Sequence, residues 1–240
     1  MKDIILAAFF LLVVTVTTAS AQNISAKNSY DNGVALARGH AYEDALAKFD
    51  AALASAQRKA ISNDDFAKIH FNKGVCLYQL HRHTEAATAF GQALTYKPRY
   101  EKVYYALGMS QAERGNWRDA EAALRNALKV NPKNGETWFD LAFVYLAQKD
   151  FAAARTAFER STKYKSVDSA IGHNNVGVIL AMNGDFAKAE AEFKQAILES
   201  GGKLDEARNN LDFCQQRADI TKRDVARNLE FGRAIRGIGE

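Results

Sequence analysis

The chain has 240 residues, 48% hydrophobic and 25% charged, with 2 prolines and 2 cysteines, a composition that excludes collagens, disulfide-stapled miniproteins and disordered tails. Lys plus Arg number 32 against 28 Asp plus Glu, and the resulting charge of +4 is spread along the chain rather than gathered into the basic stripe that nucleic acid requires. Cys76 and Cys214 belong to no C-x-x-C pair and to no Cys/His cluster of zinc spacing, so no metal or other cofactor is expected.

In chain order, Met1-Lys2-Asp3 precedes the apolar run Ile4 to Val16, then Thr17-Thr18 and Ala19-Ser20-Ala21. A charged start, a short apolar stretch and a small-x-small end predict a secretory signal peptide over residues 1–21. The apolar run has 13 residues, short of the ~20 needed to cross a bilayer as a helix. Cleavage and export to the periplasm or extracellular space are expected, with membrane anchorage by residues 4–21 as the alternative.

The remainder repeats itself. Gly33, Gly74, Gly108, Ala142 and Gly177 stand 41, 34, 34 and 35 residues apart, and Ala45, Ala86, Ala120, Ala154 and Ala189 keep the same spacings. So do Phe49, Phe90, Leu124, Phe158 and Phe193, and both prolines, Pro98 and Pro132, are also 34 apart. Five units follow, over about 26–59, 67–100, 101–134, 135–168 and 170–203, with an insert around Ala60 to Phe66 lengthening the first junction. Each unit contains two stretches of helical periodicity, joined by a tight turn such as Gly115-Asn116 or Asn183-Gly184-Asp185. Small residues at Gly108 and Ala120 allow close helix approach, and Phe90, Phe158 and Phe193 are expected to fill the space between one pair and the next. Pro98 and Pro132 end second helices. Because no unit buries its apolar face alone, the stack is expected to be the folding unit. Leu204 to Ala218 is in phase with a further first helix and predicts a cap, within a C-terminal segment 204–240.

The pattern resembles the tetratricopeptide repeat (TPR) family. Glu101 to Asn134 carries it most fully, with Tyr104, Leu107-Gly108, Gly115, Ala120, Leu124, Ala127-Leu128 and Pro132, and Gly135 to Asp168 follows with Trp138, Leu141, Tyr145, Ala154 and Phe158. Ser29, His70 and His173 depart from it where a large aromatic is favoured, as do Ser161 and Ser166 for Ala and Pro. The resemblance implies an all-α fold, a right-handed α-solenoid of helix-turn-helix repeats, and a peptide or amphipathic-helix partner in a concave groove lined by first helices.

One column of first-helix positions reads Tyr30, Phe71, Tyr105, Phe139 and Asn174, the next Val34, Val75, Met109, Phe143 and Val178, and a third Lys27, Lys68, Lys102, Glu136 and Ile171. The expected partner-binding set is Tyr30, Phe71, Tyr105 and Phe139 as anchors, Met109 and Phe143 as floor, and Lys68 and Lys102 as donors to carboxylates. The alternative is that these aromatics are packing. A family subset clamps a C-terminal carboxylate with Lys and Asn, but Tyr30 and Val34 occupy the positions that clamp needs, and Asn72, Asn174 and Asn175 alone do not make one.

His81-Arg82-His83 reads as a solvated turn rather than a metal site. His70 and Cys76, six residues apart on one helix, do not form a nucleophile and base, and no G-x-x-x-x-G-K-[ST], H-E-x-x-H or G-x-S-x-G occurs. Cys76 and Cys214, four units apart, are expected to form no disulfide. The C-terminal run Arg217 to Arg236 reads as a solvated helix face or, through Leu229, Phe231 and Ile235, as a docking segment. The expectation is a non-catalytic protein-binding adaptor without nucleic-acid or small-molecule substrate, assembling an envelope complex, with a self-associating structural protein as the alternative.

Overall fold

The computed structural model describes residues 24–56, 61–165 and 169–216. The proposed leader and the Arg217 to Arg236 run lie outside them. The described residues form eleven α-helices and no strand: α1 (24–38), α2 (Tyr42–Ser55), α3 (Asn63–Gln79), α4 (His83–Tyr96), α5 (Glu101–Glu113), α6 (Trp117–Val130), α7 (Gly135–Ala147), α8 (Phe151–Lys163), α9 (Ser169–Met182), α10 (Phe186–Glu199) and α11 (Asp205–Gln215). None of them is long and apolar enough to cross a membrane. The chain divides into two compact units, one running to Ser110 and the other beginning at Gln111.

Odd- and even-numbered helices are buried differently. Along α6 the buried residues are Ala120, Ala123, Leu124, Ala127 and Leu128, the single stripe of a helix with one covered side. In α9 every residue from Asn174 to Ala181 is buried, because α8, α10 and α11 all pack against it. In the first unit α3 is sheathed in the same way, lying against both α2 and α4.

The Gly column and the aromatic column meet inside one pair. A Cβ on Gly74 would stand 2.5 Å from Phe90 Cε1, and one on Gly33 or Gly177 would stand 2.8 or 2.6 Å from the matching atom of Phe49 or Phe193. Phe90, expected to fill the gap between successive pairs, thus seats its ring on its own partner helix. The missing Cβ is what lets it lie there.

Each turn from a first to a second helix passes through one residue in the left-handed region: His40, His81, Gly115, Lys149 and Gly184, with φ from 57° to 83°. His81 N–H donates to Tyr78 O and Arg82 N–H to Leu77 O, and Gly184 and Asp185 donate likewise to Ala181 and Leu180, which is the Schellman closure. Second helices α4 and α6 stop at Tyr96 and Val130, two residues before their prolines. The Ser62, Asn134 and Asp150 side chains cap α3, α7 and α8 by accepting the N–H of Asp65, Thr137 and Ala153 at 3.0–3.1 Å.

Part of the insert at the first junction is helical. α3 begins at Asn63, four residues ahead of position 67 where the repeat spacing starts the second unit, so residues 63–66 form an additional helical turn. Phe66 on that turn stacks on Tyr96 at 5.0 Å, and His70 stacks on the same ring at 5.7 Å.

Candidate functional site

Four of the eight expected contact residues are core. Phe71, at 3% exposure, packs on Phe90 and Tyr100 with centroids 5.9 and 5.6 Å apart. Met109 is 1% exposed in the same cluster. In the second unit Phe139 and Phe143 lie against each other at 5.0 Å and against Phe158 at 5.7 and 5.1 Å, and both are buried. These four are therefore packing residues, since a first helix held between its own second helix and the next pair has few exposed positions. Tyr30, Lys68 and Tyr105 are half-buried and Lys102 is exposed, and all four belong to the first unit.

Tyr30 and Lys68 come together in a cleft of about 370 Å³ between α1 and α3. Ala26, Lys27, Tyr30 and Asp31 form one wall, and Ile61, Asp65, Lys68 and Ile69 the other. The Tyr30 hydroxyl accepts a hydrogen bond from Asn72 Nδ2 at 3.0 Å, and its ring meets Phe49 at 6.0 Å. Burial raises its pKa, so the phenol stays neutral. Lys68 Nζ lies 2.7 Å from Asp64 and 4.0 Å from Asp65. The hydrogen bond to Asp64 raises the ammonium pKa, while those from Lys68 and from Lys97, at 2.6 Å, lower that of Asp64.

Of this cleft, Tyr30, Lys27 and Lys68 were visible in the repeat columns. Asp31, Ile61, Asp65 and Ile69 were not. The only sequence signal for Ile61 and Asp65 is the 41-residue spacing in place of 34 at the first junction.

The remaining candidate groups are held internally. Asn72 is engaged by Tyr30. Asn210 Nδ2 donates to Asn174 Oδ1 at 3.0 Å and Asn174 Nδ2 to Asn175 Oδ1 at 3.4 Å, all three amides being buried. Burial pushes the Cys76 thiol up to about 12 and lowers the pKa of His70, the reverse of a thiolate and its base. Both cysteines are buried free thiols. Arg82 forms a bidentate pair with Glu85, both contacts 2.7 Å, and the His81 and His83 rings meet edge to face. Among the described residues no group of three or more His, Cys, Asp or Glu could hold a metal.

In the second unit, His173 on α9 stands between two glutamates of α10, with Nδ1 2.6 Å from Glu192 and Nε2 3.5 Å from Glu199. Burial opposes its protonation, but the Glu192 hydrogen bond and the charges of both glutamates outweigh it, and its pKa is raised.

A family model described as tetratricopeptide repeat matches residues 30–100, 105–164 and 140–207. Solved structures share the fold at low identity. MamA 41-end from Desulfovibrio magneticus RS-1 is 16% identical with a TM-score of 0.63, over 75% of this chain and 97% of that one. YrrB, titled a TPR protein with an unusual peptide-binding site, is 21% identical with a TM-score of 0.61, over 75% and 89%. Pseudomonas aeruginosa pilF is 16% identical with a TM-score of 0.58, over 82% and 91%.

Proposed function

The chain belongs to the tetratricopeptide repeat family, and we propose that it is an exported, non-catalytic adaptor that binds a protein partner through the first-helix surface of its N-terminal unit. The observation that carries this reading is the cleft between α1 and α3, where half-buried Tyr30 and Lys68 leave an apolar floor and charged lip open to solvent. Lys102 and Tyr105 continue the same residue columns onto α5. The peptide-binding site named for YrrB supports a peptide or helix as the class of partner. The leader-like pattern of residues 1–21 supports export, and assembly of an envelope complex is the role we propose for an exported adaptor. The high-pKa thiol at Cys76 fits a non-catalytic role.

Affinity capture from the native host tests this reading. Tagged protein is compared with a Tyr30→Ser, Lys68→Glu, Lys102→Glu variant and with a Thr88→Glu, Gln92→Glu variant on the exposed face of α4. A defined partner retained by the parent and the α4 variant, and lost only by the first-helix variant, is the expected result. Equal capture by all three overturns the surface assignment, and a mass that grows with concentration in light scattering with no captured partner favours self-association.

A further inference from the structure

We propose that the α1/α3 cleft is an anchor pocket for a segment of another protein carrying one large apolar side chain with a carboxylate next to it. The inference rests on the adaptor reading and names the partner chemistry for it.

The floor is apolar and set before binding. Tyr30 presents its ring while its hydroxyl is already satisfied by Asn72 and the ring is braced by Phe49, so little ordering is left for the partner to drive. Ile69 faces it from α3. At about 370 Å³ the cleft lies near the lower end of ligand-pocket sizes, ~300–1,000 Å³, which suits one large side chain rather than a packed helix bundle.

The lip supplies the charge. Lys27 and Lys68 are separated by the same 41 residues as Gly33 and Gly74, which places them at one level on neighbouring first helices. Lys27 is exposed and makes no ion pair among the described residues. Lys68 shares Asp64 with Lys97, and Asp65 takes a hydrogen bond from Ser62 at 2.7 Å. Lys68 is already engaged by Asp64 and Asp65, so a partner carboxylate is complemented chiefly beside Lys27, whereas Asp31, one turn or ~6 Å further along α1, and Asp65 on the facing wall repel it and favour a backbone N–H or basic group. The cleft therefore pairs an acid beside Lys27 with an apolar anchor on the Tyr30 floor. Its second wall depends on residues the other junctions lack, since Ile61 and Asp65 come from the insert and the added turn of α3.

The test is fluorescence anisotropy on the full-length chain with labelled Gly/Ser peptides carrying a single Glu-Phe pair, and Lys-Phe and Glu-Ala versions beside it. The Glu-Phe probe is expected to bind about tenfold more tightly than either control, the size of one favourable contact. A Lys27→Glu, Lys68→Glu variant is expected to reverse the order of Glu-Phe and Lys-Phe. Lys27→Glu alone disturbs no ion pair among the described residues and is expected to weaken Glu-Phe binding with helicity unchanged by circular dichroism. Equal binding of the three probes, or an order unmoved by either variant, overturns the proposal. So does a concentration-dependent mass abolished by the double variant, which would make a second copy the occupant, or displacement of Glu-Phe by a peptide of residues 225–236, which would make it this chain's own segment. If the probes fail while host partners are still captured, the adaptor reading stands without this pocket. If nothing is captured at all, the adaptor reading fails.

Discussion

Adding one methyl group at Gly74 tests the packing rule on which each helix pair depends. Its Cβ would lie 2.5, 2.7 and 3.0 Å from Cε1, Cδ1 and Cζ of Phe90, and that ring cannot swing aside because it is fully buried and held by Phe71. Overpacking of this kind costs about 1–3 kcal/mol, while Ala in place of Gly inside a helix returns about 1 kcal/mol. Gly74→Ala is therefore expected to lose up to about 2 kcal/mol. The fourth repeat, with Ala142 and Phe158 both buried, shows that the pair can accommodate the methyl group once its spacing is adjusted, which keeps the cost in this range. Phe90→Leu, copying the Leu124 of the third repeat, makes the room. The double variant is expected to be more stable than the sum of the single changes by about 0.5 kcal/mol or more. Urea unfolding of the three variants measures this through the midpoints. A stabilising Gly74→Ala, or strict additivity, would mean that the Phe90 ring does not rest against Gly74.

Replacing His40, His81 or Lys149 by Gly relieves a left-handed side-chain conformation and is expected to raise stability by up to about 1 kcal/mol each, whereas Gly115→Ala and Gly184→Ala lower it by a similar amount; thermal unfolding reads both. The raised pKa of His173 means that its contribution is fully present below the ordinary imidazole value and is lost as pH rises through the folded value. Parent protein should therefore lose stability relative to His173→Gln on going from about pH 6 to pH 9, and an unchanged difference between the two contradicts the pairing with Glu192 and Glu199. With its thiol near 12, Cys76 should resist maleimide in native protein and react on unfolding, as mass spectrometry would register; rapid native labelling contradicts its burial.

The repeat register was legible because it is written in small and large residues. A Gly that receives a Phe ring, and a Phe seated on it, leave columns that survive at Gly33 and Phe49, Gly74 and Phe90, and Gly177 and Phe193. The turns were legible only where glycine occupies the left-handed position, at Gly115 and Gly184, because His40, His81 and Lys149 take that conformation without announcing it. Which aromatics are exposed was not legible. Periodicity marks one covered side, and it served for α6, but a first helix packed by several neighbours hides nearly all its faces, so Phe71 and Phe139 carry the spacing of a surface stripe while lying in the core. The cleft was half visible for a related reason: Lys27, Tyr30 and Lys68 repeat, whereas Ile61 and Asp65 come from an insert that no other unit has to compare with.

Photo-crosslinking in the native host decides whether the first-helix surface meets the partner. A photoreactive phenylalanine replaces Tyr30 or Tyr105 on the first helices, and Thr88 or Ala122 on exposed second-helix positions. Tyr30 and Tyr105 positions are expected to trap one and the same partner protein, and Thr88 and Ala122 positions to trap none. Trapping from Thr88 or Ala122 with none from Tyr30 and Tyr105 would place the functional surface on the second helices and contradict the first-helix assignment.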